Sequence, residues 1–254
     1  MLETKIQAHL QKRPILLMTH LVLGYPSFEE NEKAIAAMAA AGVELIELQI
    51  PFSEPSADGP VIVKANAASL ASGTKVAQCF AFAQKVCGAY PEVSFLFMTY
   101  ANIVFAKGEA EFLQQSKAVG LKGFIIPDLP PEESEDWRAA CEEAAMDNVL
   151  IMAPTSTQSR LERIGRESRG LVYSVGRKGV TGLNTDFGEG IEAQIDRYRA
   201  ATDLPLALGF GVKSAEDVAF LTGKVDIAVI GSKLITLHEQ SGAAALETFL
   251  GQVR

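Results

Sequence analysis

The chain has 254 residues, 48% hydrophobic and 21% charged, and carries a formal net charge of -8 at pH 7. Such a balance belongs to ordinary globular proteins and argues against extended disorder. A surplus of acid repels phosphate backbones and anionic lipid at long range, so a nucleic acid or a membrane surface is not expected as partner, and any phosphate bound has to be held locally.

The first segment, "MLETKIQAHLQKRP", reads as an amphipathic helix with charges throughout, not as a secretory leader. No run of about 18 uninterrupted apolar residues follows, so no transmembrane helix is expected. Cys79, Cys87 and Cys141 match no metal or redox spacing and are odd in number; they read as reduced thiols, and the expected location is the cytoplasm.

Eight short apolar runs ending in turn signals come next: "ILLMTHLVLG" from Ile15, "VELIELQIP" from Val43, "VSFLFMTY" from Val93, "GFIIPD" from Gly123, "NVLIMAP" from Asn148, "GLVYSVG" from Gly170, "LPLALGFG" from Leu204 and "VDIAVIGS" from Val225. Between them lie segments of helical period such as Ser27 to Gly42 and Glu109 to Gly120, each with glycine where a helix stops. Continuous apolar strands alternating with helices predict a parallel sheet covered on both faces. Eight such units in a chain of this length predict a (β/α)8 TIM barrel, a single domain over 1–254 with an extra N-terminal helix and an elongated loop after strand 2. An open doubly wound sheet is the rival architecture.

Within the second run, Ile46, Leu48 and Ile50 alternate with Leu45, Glu47 and Gln49. The all-apolar set is expected against the helices, which turns Glu47 into the barrel near its C-terminal mouth, where barrel active sites form. Burial in low dielectric raises a carboxyl group's pKa and suits it to acid/base work near neutrality. The competing structural reading is an ion pair; no Lys or Arg sits in the strand cores, which leaves His20 on the neighbouring strand as the candidate partner. Glu44, at the strand's entry, reads as a solvated or capping charge. Asp58, between Pro55 and Gly59-Pro60, is on its own a turn-forming residue; beside an inward Glu47 it suggests two carboxylates dividing acid and charge-stabilising roles.

Three glycine turns, in "GRKGVTGLN", "LGFGVKSAEDV" and "VIGSKL", follow the last three strands. Barrels commonly hold phosphate on such loops and on a helix N-terminus, and here Gly209 and Gly211 let backbone approach while Gly231 and Ser232 add donors. A dinucleotide loop is excluded by the missing G-x-G-x-x-G spacing.

These stretches, "ELxxPFSxPxADGP" (Glu47 to Pro60), "IPDLPPEES" (Ile126 to Ser134), "RKGVTG" (Arg177 to Gly182) and "GFGV" (Gly209 to Val212), closely resemble the tryptophan synthase alpha chain family over nearly the whole chain. The resemblance implies a lyase that cleaves indole-3-glycerol phosphate to indole and glyceraldehyde 3-phosphate by a metal-independent retro-aldol step. It further implies a beta chain as partner in an alpha2-beta2 complex, with pyridoxal phosphate in that beta chain and no cofactor in this one. By the family's pattern Glu47 is the general acid/base and Asp58 the second catalytic carboxylate. Tyr173 lines the substrate site, and Thr181 belongs to a loop that closes on Asp58. Gly182, Gly211, Val212, Gly231 and Ser232 hold phosphate, and Phe210, Met98, Ile125 and Ile151 line the indole pocket. The chain departs from many relatives at Gln49, Glu54 and Ser56, which bears on its contact with the beta chain, and at His20, which stands at an indole contact and is placed to tune Glu47.

The alternative is a stand-alone lyase that releases free indole. A subunit kept only to activate its partner would not need Glu47 and Asp58, and a Schiff-base aldolase would need a strand lysine, which is missing.

Overall fold

The structure, a computed structural model, describes residues 2–176, 190–209 and 211–254. Its strands are β1 (Leu16–Val22), β2 (Leu45–Gln49), β3 (Ser94–Met98), β4 (Gly123–Ile125), β5 (Asp147–Val149), β6 (Ile151–Met152), β7 (Val172–Val175), β8 (Leu206–Gly209) and β9 (Ile227–Ile230). Every strand pairing is parallel, in the order β5-β4-β3-β2-β1-β9-β8-β7-β6. The two ends of this sheet, β5 and β6, are separated by Leu150 alone, so the sheet closes on itself as a barrel and the open alternative is ruled out. Each of the eight apolar runs forms a strand, the fifth divided in two. At the division the Leu150 N–H turns to the Ser168 hydroxyl, 3.0 Å away, while its carbonyl accepts the Tyr173 N–H.

The helices are α1 (Leu2–Leu10), α2 (Phe28–Ala40), α3 (Pro60–Ala71), α4 (Val76–Ala89), α5 (Ala101–Lys107), α6 (Glu109–Ala118), α7 (Glu135–Glu143), α8 (Gln158–Glu167), α9 (Ile191–Arg199), α10 (Ala215–Leu221), α11 (Ser232–Ser241) and α12 (Ala243–Gln252). The long connection after β2 holds the proline-bounded loop, α3 and α4, as its length predicts. Second helices also follow β3 and β9; α5 has only seven residues and is hidden in the spacing of the runs.

Strand alternation separates two cores. Ile46, Leu48 and Ile50 pack outward with the helices, whereas Leu45, Leu16, Met18 and Leu96 fill the barrel interior. Leu2 and Ile6 of α1 join the inner set, each contributing about 1.5–3 kcal/mol of burial. The Leu2 N–H bonds Asp147 Oδ2 at the start of β5, so α1 covers the N-terminal end of the barrel.

Of the two readings of Glu44, a solvated or a capping charge, burial overturns the first. It is buried, its Oε2 accepts the Leu17 N–H at 3.0 Å, and its Oε1 pairs with Arg254 and with Arg13. The carboxylate serves a strand N–H just before the first paired residues of β1 and β2, Met18 and Leu45, and the two arginines supply the counter-charge.

Candidate active site

In the parallel register of β1 and β2, His20 lies opposite Glu47 and Val22 opposite Gln49. Period two then aims His20, Glu47 and Gln49 to the inside, at the C-terminal ends of their strands. All three are buried, with Glu47 only 3% exposed, and Glu47 and His20 line a cavity of about 500 Å³. Glu47 therefore points inward, as the alternation predicts.

Asp58 reaches the same cavity from the loop after β2 and is itself 7% exposed. Tyr100, at the N-terminus of α5, holds it there: its hydroxyl donates to Asp58 Oδ2 over 3.0 Å and accepts the Ala57 N–H over 3.1 Å. Phe52 stacks on the same ring at 4.9 Å, fixing the start of the loop. Gln49 Nε2 donates to Asp58 Oδ2 over 2.6 Å, its Oε1 lies 2.9 Å from His20 Nε2, and His20 Nδ1 lies 2.7 Å from Glu47 Oε2. The two carboxylates are thus joined through Gln49 and His20. Glu47 Oε1, also buried, has no hydrogen-bond partner among the described residues.

Electrostatics follow from this packing. Burial opposes charge on His20, but its bonds to Glu47 and Gln49 and the nearby Asp58 outweigh burial, and its pKa lies above the usual 6.5. Burial pushes the Asp58 carboxyl up; His20, Gln49 and Tyr100 counter this only in part. Tyr173 is held well above 10.0 by burial and then by the charges of Glu47 and Asp58, so it faces them as a neutral hydroxyl. Its ring lies where Gly209 has no side chain: a Cβ there would fall 2.5 Å from the Tyr173 oxygen. Gly209, read from the sequence as a place for ligand approach, is needed to seat Tyr173.

The lining has two further characters. Met98, Ile125 and Ile151 give an apolar wall. Gly211, in a left-handed conformation at φ 75°, and Val212, Gly231 and Ser232 line the cavity as well, and α11 begins at Ser232 with no side-chain cap. An uncapped helix N-terminus is an anion seat. Lys213 and Lys233 line the cavity as well and add positive charge. Thr181, Gly182 and Phe210 lie outside the described residues; the other named site residues all line this one cavity.

Sequence reasoning did not single out Tyr100, Lys213 or Lys233. The lysines carry a signal, since each directly follows a glycine turn, "GVK" and "GSK"; Tyr100 carries none beyond ending an apolar run. Among the described residues, no group of three or more His, Cys, Asp or Glu is placed to hold a metal ion, and no helix is long and apolar enough to cross a membrane.

The model of the tryptophan synthase alpha chain family matches residues 6–250. The chain is 50% identical to the tryptophan synthase alpha chain of Syntrophotalea carbinolica over the full length of both, and 49% identical to that of Desulfotalea psychrophila, covering 100% of this chain and 99% of the relative. A solved structure of Mycobacterium tuberculosis tryptophan synthase superposes with a TM-score of 0.90 at 31% identity, covering 99% of this chain and 96% of the other. A structure from Aquifex aeolicus gives the same TM-score of 0.90 at 32% identity, covering 99% and 96%. With matching sequence over its whole length and two carboxylates converging at the barrel mouth, the chain belongs to the tryptophan synthase alpha chain family.

Proposed function

We propose that the cavity binds indole-3-glycerol phosphate and cleaves it to indole and glyceraldehyde 3-phosphate, with Glu47 and Asp58 as the catalytic pair. The observation that carries this reading is that both carboxylates open onto one cavity whose wall also offers an uncapped helix N-terminus and two lysines. The phosphate sits on Gly211, Val212, Gly231 and Ser232, with the α11 dipole and Lys213 and Lys233 balancing its charge. The indole ring lies against Met98, Ile125 and Ile151, and Tyr173 borders it near Glu47.

Glu47 Oε1 gives a proton to the ring carbon that bears the glycerol chain. Positive charge then spreads to the ring nitrogen, whose N–H faces the Asp58 carboxylate. As Glu47 takes the proton of the adjacent hydroxyl, the carbon-carbon bond breaks, its electrons return to the ring, and the hydroxyl carbon becomes the aldehyde. The proton given equals the proton taken. Acid/base work of this kind contributes roughly 10²–10⁴-fold for each positioned group. Glu47 supplies both proton movements and Asp58 the counter-charge, so the step is metal-independent and this chain needs no cofactor.

The partner in this reading is a tryptophan synthase beta chain, in an alpha2-beta2 complex, which receives the indole and carries pyridoxal phosphate. Glu54 and Ser56 are exposed on the loop that presents Asp58, where a partner can bear on the site. The test is to supply the purified chain with indole-3-glycerol phosphate and follow indole and the triose phosphate, with and without a beta chain and with and without a chelator. Both products are expected in equal amounts, unaffected by chelation and faster with the beta chain. A rate indifferent to the beta chain identifies a stand-alone lyase, and no product under any condition refutes the reading.

A further inference from the structure

The hydrogen-bond chain between the two carboxylates has a direction. Asp58 Oδ2 receives the Tyr100 hydroxyl and the Gln49 Nε2–H. With its nitrogen so committed, Gln49 turns Oε1 to His20 Nε2 at 2.9 Å, and an amide oxygen only accepts. His20 Nε2 therefore carries hydrogen. Flipping the amide would set two acceptors face to face at Asp58, and moving the ring hydrogen to Nδ1 alone would do the same at Gln49. What remains is one proton on the 2.7 Å line between His20 Nδ1 and Glu47 Oε2, held either as imidazolium with carboxylate or as imidazole with carboxylic acid.

We propose that His20 and Gln49 are positioning residues of the lyase, joining Glu47 and Asp58 into one oriented chain that fixes Glu47 Oε2, leaves Oε1 to the substrate and keeps a shared proton on the Nδ1–Oε2 line. The proposal rests on the assignment of Glu47 and Asp58 as the acid/base pair. The shared proton is not the one transferred. Each time Oε1 gives its proton to the ring, the new carboxylate is met at Oε2 by the Nδ1–H; each time Oε1 takes the hydroxyl proton, that bond weakens again. The bond from Nδ1 thereby fixes the rotation of the Glu47 carboxyl and keeps Oε1 turned to the substrate.

The groups that face the imidazole are few. Glu47 and Gln49 come from β2 and Asp58 from the loop that follows it, while Tyr173 of β7 and the lysines Lys213 and Lys233 line the same cavity. Behind the ring, a small gap is lined by Tyr25, Asn31 and His238 among apolar residues. Glu47 is the only one of these bonded to Nδ1 among the described residues, so loss of the shared proton removes the donor from Glu47 and turnover declines on the alkaline side.

The test uses the full chain with a tryptophan synthase beta chain present. The ¹⁵N imidazole signals of the unsubstituted protein are expected to show hydrogen on His20 Nε2 throughout, with Nδ1 alone titrating. His20→Asn is expected to lower kcat by roughly 10–100-fold, a fraction of a full acid/base contribution, with KM within about threefold. The alkaline limb of its kcat profile moves or disappears, which a purely structural loss would not produce. Gln49→Met leaves the His20–Glu47 pair in place and cuts the link to Asp58; it is expected to cost about 3–10-fold in kcat and to shift the His20 titration, as positioning residues do. A His20 Nε2 that loses its hydrogen, or a His20→Asn protein with the parent's kcat and pH profile, overturns the proposal. The spectrum and Gln49→Met decide it if His20→Asn fails to fold. Undiminished turnover in Glu47→Gln refutes the acid/base assignment itself and is read separately.

Discussion

The Tyr100 hydroxyl donates to Asp58 Oδ2 over 3.0 Å, and through the same oxygen it accepts the N–H of Ala57, the residue before that aspartate. One side chain outside the loop therefore fixes both the position of the loop and the direction of its carboxylate. Tyr100→Phe keeps the stacking on Phe52 and removes only the oxygen. Turnover should drop by about 5–30-fold, the range expected from one lost hydrogen bond of about 1–2 kcal/mol. Steady-state kinetics with indole-3-glycerol phosphate check this; an unchanged kcat would show that the loop is held by other means.

Gly209 and Tyr173 make a second such pair. A methyl group on Gly209 would meet the Tyr173 oxygen at 2.5 Å and two ring carbons at 3.0 Å, so Gly209→Ala has to displace the ring into the cavity. The expected result is a KM raised about tenfold, near 1.4 kcal/mol of binding, with the fold retained. A KM equal to the parent's would mean that Tyr173 does not border the substrate.

Glu44 tests the packing account independently of activity. Glu44→Ala leaves the buried Leu17 N–H without its acceptor and Arg254 without its counter-charge. Urea unfolding should show a loss of about 1–3 kcal/mol, the cost of leaving a buried donor without its acceptor. A change below about 0.5 kcal/mol, the usual size for surface substitutions, would return Glu44 to the role of a solvated charge.

Stability should also depend on pH in a definite sense. The folded pKa of His20 lies above 6.5, so its contribution is complete below that value and is lost as pH rises through the folded value. Asp58 acts in the same direction in acid: its folded pKa lies above 3.8, the native state holds the proton longer, and stability declines as pH climbs from 3.8 through the folded value. Unfolding midpoints measured upward from pH 6.5 should fall in the parent and flatten in His20→Asn. Equal slopes in the two proteins would place the effect elsewhere.

The barrel was legible because strand and helix periods differ, and eight apolar runs each ended in a turn. Glu47 was legible for the same reason, as the charged member of an alternating strand whose other face is apolar. The break at Leu150 was not, since it follows from the Ser168 hydroxyl, eighteen residues away and on no shared pattern. Tyr100 and the seat of Tyr173 over Gly209 depend on how distant segments meet, and local spacing contains nothing about that. The burial of Glu44 was not legible because its partners, Arg254 and Leu17, come from the far end of the chain and from a neighbouring strand. His20 was placed beside Glu47 by neighbouring strands, yet its second bond, to Gln49, needed the register of β1 on β2.

The central claim is that Glu47 moves protons at the substrate. Indole formation by Glu47→Gln, assayed beside the parent with a beta chain present, tests it most directly. The amide keeps the size of the side chain but neither gives nor takes the proton, so turnover should fall by at least about 10²-fold while the protein remains folded. A folded Glu47→Gln chain that releases indole at the parent's rate would contradict the claim.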